Sequence, residues 1–448
     1  FDTTFPAGYF ALREAFGPDG KYGKWLLEKP IVAVINGTAF VHGGLSPVVA
    51  DYGLDGINTR LQGELAAFVT AVYALMDAEI LLPTDASYDF VEILDRYMPG
   101  LDDPQEILGA IETVRRLADS DAISTVGPLW YRSNVACSGI IEEHRLDAAL
   151  AAIGADRVVV GHTPTPNRRV LQRFDGRLIE IDTGMLNFYY RGSGNALVIS
   201  DGGGVQVHNQ AGGTPYTPLV HHRSVGQRPH DMPPEELATL LRNGEIVARE
   251  KDDVTDRDVV EISDGDHTVT ALFERRSSRG FYPDLAAYRL DRLLDLDMVP
   301  VTVRREVDGR DGTVQFFPPK TMDEEQRALN NRGYSAMCPL GEQLMAMYVF
   351  DTLVYNEGRT RQRMLYDTRR WNLVLVEHDK AFSNRKGRPR HLVNASLEFS
   401  NGWKNALHEL DDATLQEHLG DVLDKKRLNA LVTRRNEILA EKVAMDSR

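Results

Sequence analysis

Cysteine is scarce: Cys137 and Cys338 are the two in 448 residues, too few for a disulfide framework or a cysteine-rich zinc site. Long apolar runs are missing as well, all falling far short of the roughly 20 residues that a bilayer-spanning helix needs. Positive charge is not in surplus. Lys and Arg number 51 against 66 Asp and Glu, a formal net charge of −15. Sequence-independent nucleic-acid binding works by neutralising phosphates, so an acidic chain is poorly suited to it. Repeats and low-complexity tracts are absent. An initiator methionine is also lacking. The chain opens at Phe1 on turn-rich residues (Pro6, Gly8, Gly17-Pro18-Asp19-Gly20) without a signal-peptide apolar stretch, and reads as the middle of something longer. What is present is ordinary globular composition, 42% apolar and 26% charged, at a length that predicts two or three domains. A cytoplasmic location is expected, any targeting segment preceding Phe1.

From Pro30 the pattern is one of short apolar strands stopped by glycine. Ile31–Ile35 ends at Asn36-Gly37, a two-residue hairpin signal, and Ala39–Val41 runs into His42-Gly43-Gly44. Residues 58–118 switch to helical period, with Leu61, Leu65, Phe68, Val72 and Leu75 on one face and further helices near 88–97 and 104–118, the last opened by an acidic cap at Asp102-Asp103. Strands return at Arg157–Val160, Arg177–Ile181 and Ala196–Ser200. The glycine- and proline-rich stretch 206–234 reads as a linker. The organisation expected is therefore α+β in two parts: 1–205 with a helical insertion at 58–118, then 235–448. In the second part helices are expected over 235–242, 284–294, 340–355 and after about 411, with strands near 259–263, 268–273 and 301–307. Cys338, Met345 and Met347 read as core.

Three segments put a polar residue just beyond a buried strand: Val41-His42-Gly43-Gly44, Val160-Gly161-His162-Thr163-Pro164 and Ile181-Asp182-Thr183-Gly184. Strand carboxyl ends are where open α/β sheets collect ligands, and a histidine held there by rigid backbone suits a metal ligand. A strand-end histidine bonded to a loop carbonyl is the competing reading of each.

Taken in order, FVHGGLSP, GPLWYR at 127–132, VVVGHTP and IDTGM resemble the C-terminal half of calcineurin-like metallophosphoesterases of the phosphoprotein-phosphatase type, closest to the branch called Shewanella-like phosphatases. The resemblance covers about 1–200. It implies a β-sandwich flanked by helices, two divalent metal ions (Mn, Fe or Zn), His42 and His162 as ligands of one metal, and Arg132 as a phosphate clamp. Asp182 takes a family-like position of open role, a hydrogen bond to a ligand histidine being one. Three further family motifs, an Asp-x-His-Gly, a Gly-Asp-x-x-Asp-Arg-Gly and a Gly-Asn-His-Glu, do not occur in these residues. The chain is thus expected to hold half a dimetal site and to be inactive alone, with the remainder upstream.

Residues 281–304, 349–367 and 373–382 resemble the atypical kinases related to phosphatidylinositol 3- and 4-kinases, over most of 240–448. That resemblance implies a bilobal α+β domain with Mg-ATP, a strand lysine, a helix carboxylate (Asp284 here), a catalytic loop and a metal-binding acid. The chemical residues depart from it. Glu274 and then Arg275 stand where the lysine belongs, and a carboxylate there repels phosphate. The loop Asn-x-Asp-Arg-x-x-x-Asn becomes Asn356-Glu357-Gly358-Arg359-Thr360-Arg361-Gln362-Arg363, so Gly358 replaces the base and Arg363 the metal-binding asparagine. Glu377 stands at the metal-binding acid, followed by His378 and Asp379; a register slip would bring in Glu357 or Asp379. This pattern reads as a pseudokinase. Arg359, Arg361, Arg363, Arg369, Arg370, Lys380, Arg385, Lys386, Arg388 and Arg390 concentrate positive charge, either as a salt-bridged face or as a seat for an anionic or phosphorylated partner. The function expected is a metal-dependent phosphomonoester hydrolase, acting on a phosphorylated protein or small phosphomonoester, with a kinase-like regulatory domain. The alternatives are a non-catalytic binding module and an active atypical kinase.

Overall fold

The computed structural model describes residues 5–97, 100, 104–221, 232–252, 257–332, 337–395, 397 and 400–440. Two compact units divide the chain: Phe1–Asn134 with Arg145–Leu219, and Val135–His144 with Val220–Arg448. Both mix helices and sheets, in the α+β class.

In the first unit, β1 (Val32–Ile35) and β2 (Thr38–Val41) form a hairpin. Its turn residues Asn36 and Gly37 have φ of 49° and 73°, the left-handed pair that a type I′ turn demands. β3 (Arg157–Val160) pairs parallel to β2, and β5 (Leu178–Glu180) parallel to β3; β4 (Leu171–Arg173) closes antiparallel on β5. A separate hairpin, β6 (Asn195–Ile199) and β7 (Val205–Asn209), packs Leu197, Ile199, Val205 and Val207 on Phe40, Val159 and Ile179. The main sheet runs β1-β2-β3-β5-β4 and then β8 (Leu219–Val220). Three parallel strands, β2, β3 and β5, therefore end on one side of the sheet, one residue before His42 and two residues before His162 and Asp182. Residues 205–209 are strand although they fall largely inside the expected linker, of which 222–231 lie outside the described residues.

The long helix Pro47–Asp77 starts well before 58, with proline at its first position, and bends at Gly53 (φ 63°). Phe68, Val72 and Leu75 pack with Leu94, Ile111, Val114 and Leu117 from the helices Phe90–Arg96 and Gln105–Leu117. Each such buried side chain contributes about 1.5–3 kcal/mol. The acidic cap at Asp102-Asp103 lies outside the described residues.

In the second unit, β9 (Glu245–Asp252), β10 (Arg257–Ser263), β11 (Thr268–Arg275), β12 (Thr302–Val307) and β13 (Arg310–Phe316) form an antiparallel sheet ordered β12-β13-β11-β10-β9. Val260, Ile262, Phe273, Val303 and Val314 share one core with Leu237, Leu240 and Leu241 of the helix Pro234–Asn243. A three-stranded sheet follows, β14 (Thr321–Asp323), β15 (Met364–Asp367) and β16 (Leu373–Leu375), with helices at Leu340–Val354, Asn401–Glu409, Asp412–Leu419 and Lys425–Ala440. The sequence reading missed β9 and β13. β9 is mostly polar, as a sheet edge tolerates, and β13 follows the hairpin turn Asp308-Gly309.

Cys338 and Met347 lie in the core, as the sequence reading expects, and Met345 is half-buried; Cys338 is in addition bonded. Cys137 and Cys338, both fully buried, form a disulfide across 201 residues. Among the described residues no helix is long and apolar enough to cross a membrane. Cross-linking a loop of this length constrains the unfolded chain, so reduction is expected to cost about 2–5 kcal/mol in urea unfolding. Thiol titration of the denatured, unreduced chain is expected to find no free thiol; finding both would disprove the bridge.

Candidate functional site

Two clusters bring the sequence-level candidates together, one in each unit. In the first unit His42 leaves β2 and His162 follows β3 by two residues, and Gly161 N donates to His42 O at 3.0 Å. The rings meet: His42 Nε2 lies 2.9 Å from His162 Nδ1, with centroids 4.7 Å apart. Arg132 Nη2 reaches the other ring nitrogen of the same imidazole, 2.6 Å from His162 Nε2, and Trp130 packs edge-on at 5.0 Å. Gly43 N and Gly44 N both donate to Pro128 O at 3.0 Å, which ties the His42 loop to the segment carrying Arg132. Asp182 is placed differently from a hydrogen-bond partner of a histidine. Its Oδ1 accepts from Gly184 N at 2.9 Å and its carbonyl from Thr165 N at 2.8 Å, so it holds two loops, while its charge still acts on His162.

His162 adopts φ 63°, a left-handed conformation uncommon outside glycine and sustained by its neighbours. Its pKa is lowered, first by burial, then by the positive charge of Arg132 and by His42; Asp182 opposes them. Burial and the neighbouring guanidinium thus both disfavour the imidazolium form of His162. Around it, Arg132 Nε, Thr163 Oγ1 and Thr165 Oγ1 are buried polar atoms without a hydrogen-bond partner. The donor set does not fit a dimetal centre. Among the described residues no three His, Cys, Asp or Glu side chains are grouped to hold a metal, and a guanidinium already abuts one of the two histidines.

The second cluster centres on two arginines. Arg359 is nearly buried and pairs bidentately with Asp351, at 2.8 Å and 3.0 Å. Its Nη1 also donates to the carbonyls of Arg363 and Val376, both at 3.0 Å, and Nη2 lies 3.2 Å from His378 Nε2. Asn356 bridges within the loop, donating to Asp351 Oδ1 at 3.1 Å and accepting from Gly358 N at 2.9 Å. Arg363 spans two carboxylates, with Nε 2.6 Å from Glu377 and Nη1 2.9 Å from Asp379. Glu377, like His162, is left-handed, at φ 65°. Asp284 opens the helix Pro283–Leu293 and accepts from His378 N at 2.8 Å, so the helix carboxylate anchors the strand end. Glu274 stands opposite Thr313 in the five-stranded sheet, half-exposed, with Arg275 exposed beyond it.

Several of the ten basic residues are already paired: Arg359 and Arg363 as above, and Arg385 with Glu357 at 3.3 Å. The sequence reading missed Asp351. Its signal is a lone acid within the apolar run Met345–Val354, where burial without a partner is costly.

No family model matches the chain, and no curated protein matches it. Solved structures similar to part of it include hydra Fam20 with sugar, at 12% identity and TM-score 0.36 over 46% of this chain and 86% of that one. The Golgi casein kinase, alone and with Mn/ADP bound, is similar at 14% identity and TM-score 0.34, over 46% of this chain and 74% of that one.

Two outcomes test these clusters. Asp351→Asn strands Arg359 as a buried, uncompensated charge and is expected to cost about 3–5 kcal/mol in denaturant unfolding. By contrast, Arg435 pairs with the exposed Asp412 at 3.0 Å, and Asp412→Asn is expected to cost under about 1 kcal/mol. For His162 the folded pKa lies below the unfolded value near 6.5, so the unfolded chain takes a proton first. Its contribution to stability is therefore full above about pH 6.5 and falls as pH drops through the window beneath, and His162→Gln should flatten that part of the stability profile.

Proposed function

We propose that the second unit is a catalytically silent, kinase-like module that holds an anionic, phosphate-bearing ligand without transferring phosphate. The observation that carries this reading is the seat of Arg363 between Glu377 and Asp379, with Gly358 bare at the position of the base. Phosphoryl transfer depends on positioning and on metal ions that neutralise developing charge, together with a residue that accepts the proton of the nucleophile. Here a fixed guanidinium sits among the acids that metals use, and nothing at 358 can take a proton. Positive charge remains for binding, through Lys380, Arg361 and their neighbours. The buried disulfide favours an oxidising compartment over the cytoplasm that composition alone suggests.

A second reading is supported in the first unit, where phosphate-ester recognition fits the meeting of His42, His162 and Arg132. The buried, unpartnered donors Arg132 Nε, Thr163 Oγ1 and Thr165 Oγ1 are groups that an oxyanion satisfies. Metal-dependent hydrolysis of a phosphorylated protein or small phosphomonoester needs donors beyond these, so hydrolysis is not assigned to these residues alone.

The test is thermal unfolding with ATP as probe, beside a transfer assay with labelled ATP and magnesium. A saturable rise in Tm with no labelled product is expected. Labelled product that disappears in Glu377→Ala would instead make the unit an active kinase. Absence of any shift with ATP, together with binding of a phosphorylated peptide, keeps the module and identifies a protein partner as its ligand. Absence of both overturns it.

A further inference from the structure

We propose that Arg363 is a built-in cation, whose guanidinium occupies the place of a divalent ion and closes the kinase-like cleft of this chain to metals. The inference rests on reading residues 356–379 as a degenerate phosphotransfer site. It extends that reading from the absence of transfer to how the cleft is charged.

The geometry is that of a cation between two anions. Nε is 2.6 Å from Glu377 Oε2 and Nη1 is 2.9 Å from Asp379 Oδ1. A divalent ion shared by these carboxylates needs oxygens at about 2.0–2.6 Å and so needs the same space. The group is also shielded, the side chains of Arg363 and Glu377 being 19% and 9% exposed, so the attraction is less screened than at a surface. Arg363 is pinned at its backbone too, because its carbonyl accepts from Arg359 Nη1 at 3.0 Å.

Gly358 supplies an independent observation. A β-carbon built there lies 2.9 Å from Arg363 Nη1, 3.2 Å from Asn356 Oδ1 and 3.3 Å from the β-carbon of Lys380. A side chain at 358 therefore requires the end of Arg363 to shift. The two departures from the kinase pattern are sterically one device: removing the base side chain makes the room that the tethered cation fills. Gly358 is not among the residues with positive φ, so alanine is compatible with its backbone.

The experiment measures binding of manganese to the full chain, by loss of the free-ion electron paramagnetic resonance signal and by the manganese-induced change in Tm. All chains compared retain His42 and His162, so binding by the first unit is common to them and the readout is the difference. Arg363→Asn is expected to bind one more manganese ion than the unmodified chain and to gain a few degrees of Tm at saturation. Adding Glu377→Gln to Arg363→Asn is expected to abolish the gain. Gly358→Ala, which keeps the charge but pushes Arg363 aside, is expected to show a weaker gain, and it decides the question if Arg363→Asn fails to fold. Equal manganese binding in the unmodified chain and the variants, or no gain in a folded Arg363→Asn or Gly358→Ala chain, overturns the proposal. Failure of the ATP test leaves this result standing, since no nucleotide enters the measurement.

Discussion

The second unit depends on how one buried guanidinium is satisfied. Arg359 has donors on three nitrogens, and they are used on Asp351, the carbonyls of Arg363 and Val376, and the ring nitrogen of His378. Those partners come from the helix Leu340–Val354, the loop after it and the end of β16. A charge removed from water is tolerable only when paired and hydrogen-bonded, so these segments cannot drift apart without leaving a cation stranded. The link continues outward: His378 N donates to Asp284, so the helix Pro283–Leu293 is fixed to the same strand end. The segment that carries Arg363 is tied to the same charge, because the Arg363 carbonyl accepts from Arg359 Nη1.

The two units solve a similar problem by different means. In the first, parallel strands of unequal sequence distance deliver His42, His162 and Asp182 to one side of the sheet, and rigidity comes from the backbone ladder. Gly161 N bonded to His42 O and Thr165 N bonded to Asp182 O continue that ladder past the strands. In the second, side chains carry the positioning.

Much of the fold was legible because it rests on local signals. Asn36-Gly37 specified a hairpin, and the heptad-like spacing from Leu61 to Leu75 specified a helix face. The helix nonetheless starts at Pro47, since periodicity locates a buried face and not the point where the chain enters it. β9 was illegible because an edge strand need not be apolar, and the hairpin of β13 was signalled by Asp308-Gly309 alone. His42, His162, Arg132, Arg363 and Glu377 were named from motif spacing; the structure puts the first three within hydrogen-bond reach and joins the last two in an ion pair. Asp351 and the Cys137–Cys338 bridge were not named. Both are pairings between residues distant in sequence or sheltered by apolar neighbours, and nothing local distinguishes a cysteine in a core from one bonded across it.

Gly358 and Arg363 show why residue-by-residue matching undercounts the information in a departure. Taken singly, Gly358 and Arg363 are two departures from the atypical-kinase pattern that the sequence resembles. Taken together with the 2.9 Å separation between a β-carbon at 358 and Arg363 Nη1, they are a single exchange of volume and charge. An acid at 358 would be sterically opposed by the arginine, and an asparagine at 363 would leave Glu377 and Asp379 facing one another without a cation. Like charges at that spacing repel strongly in a shielded cleft, so restoring either position alone carries an electrostatic or a steric cost. On the proposed reading of residues 356–379, such coupling makes Gly358 and Arg363 one consistent arrangement rather than two separate losses.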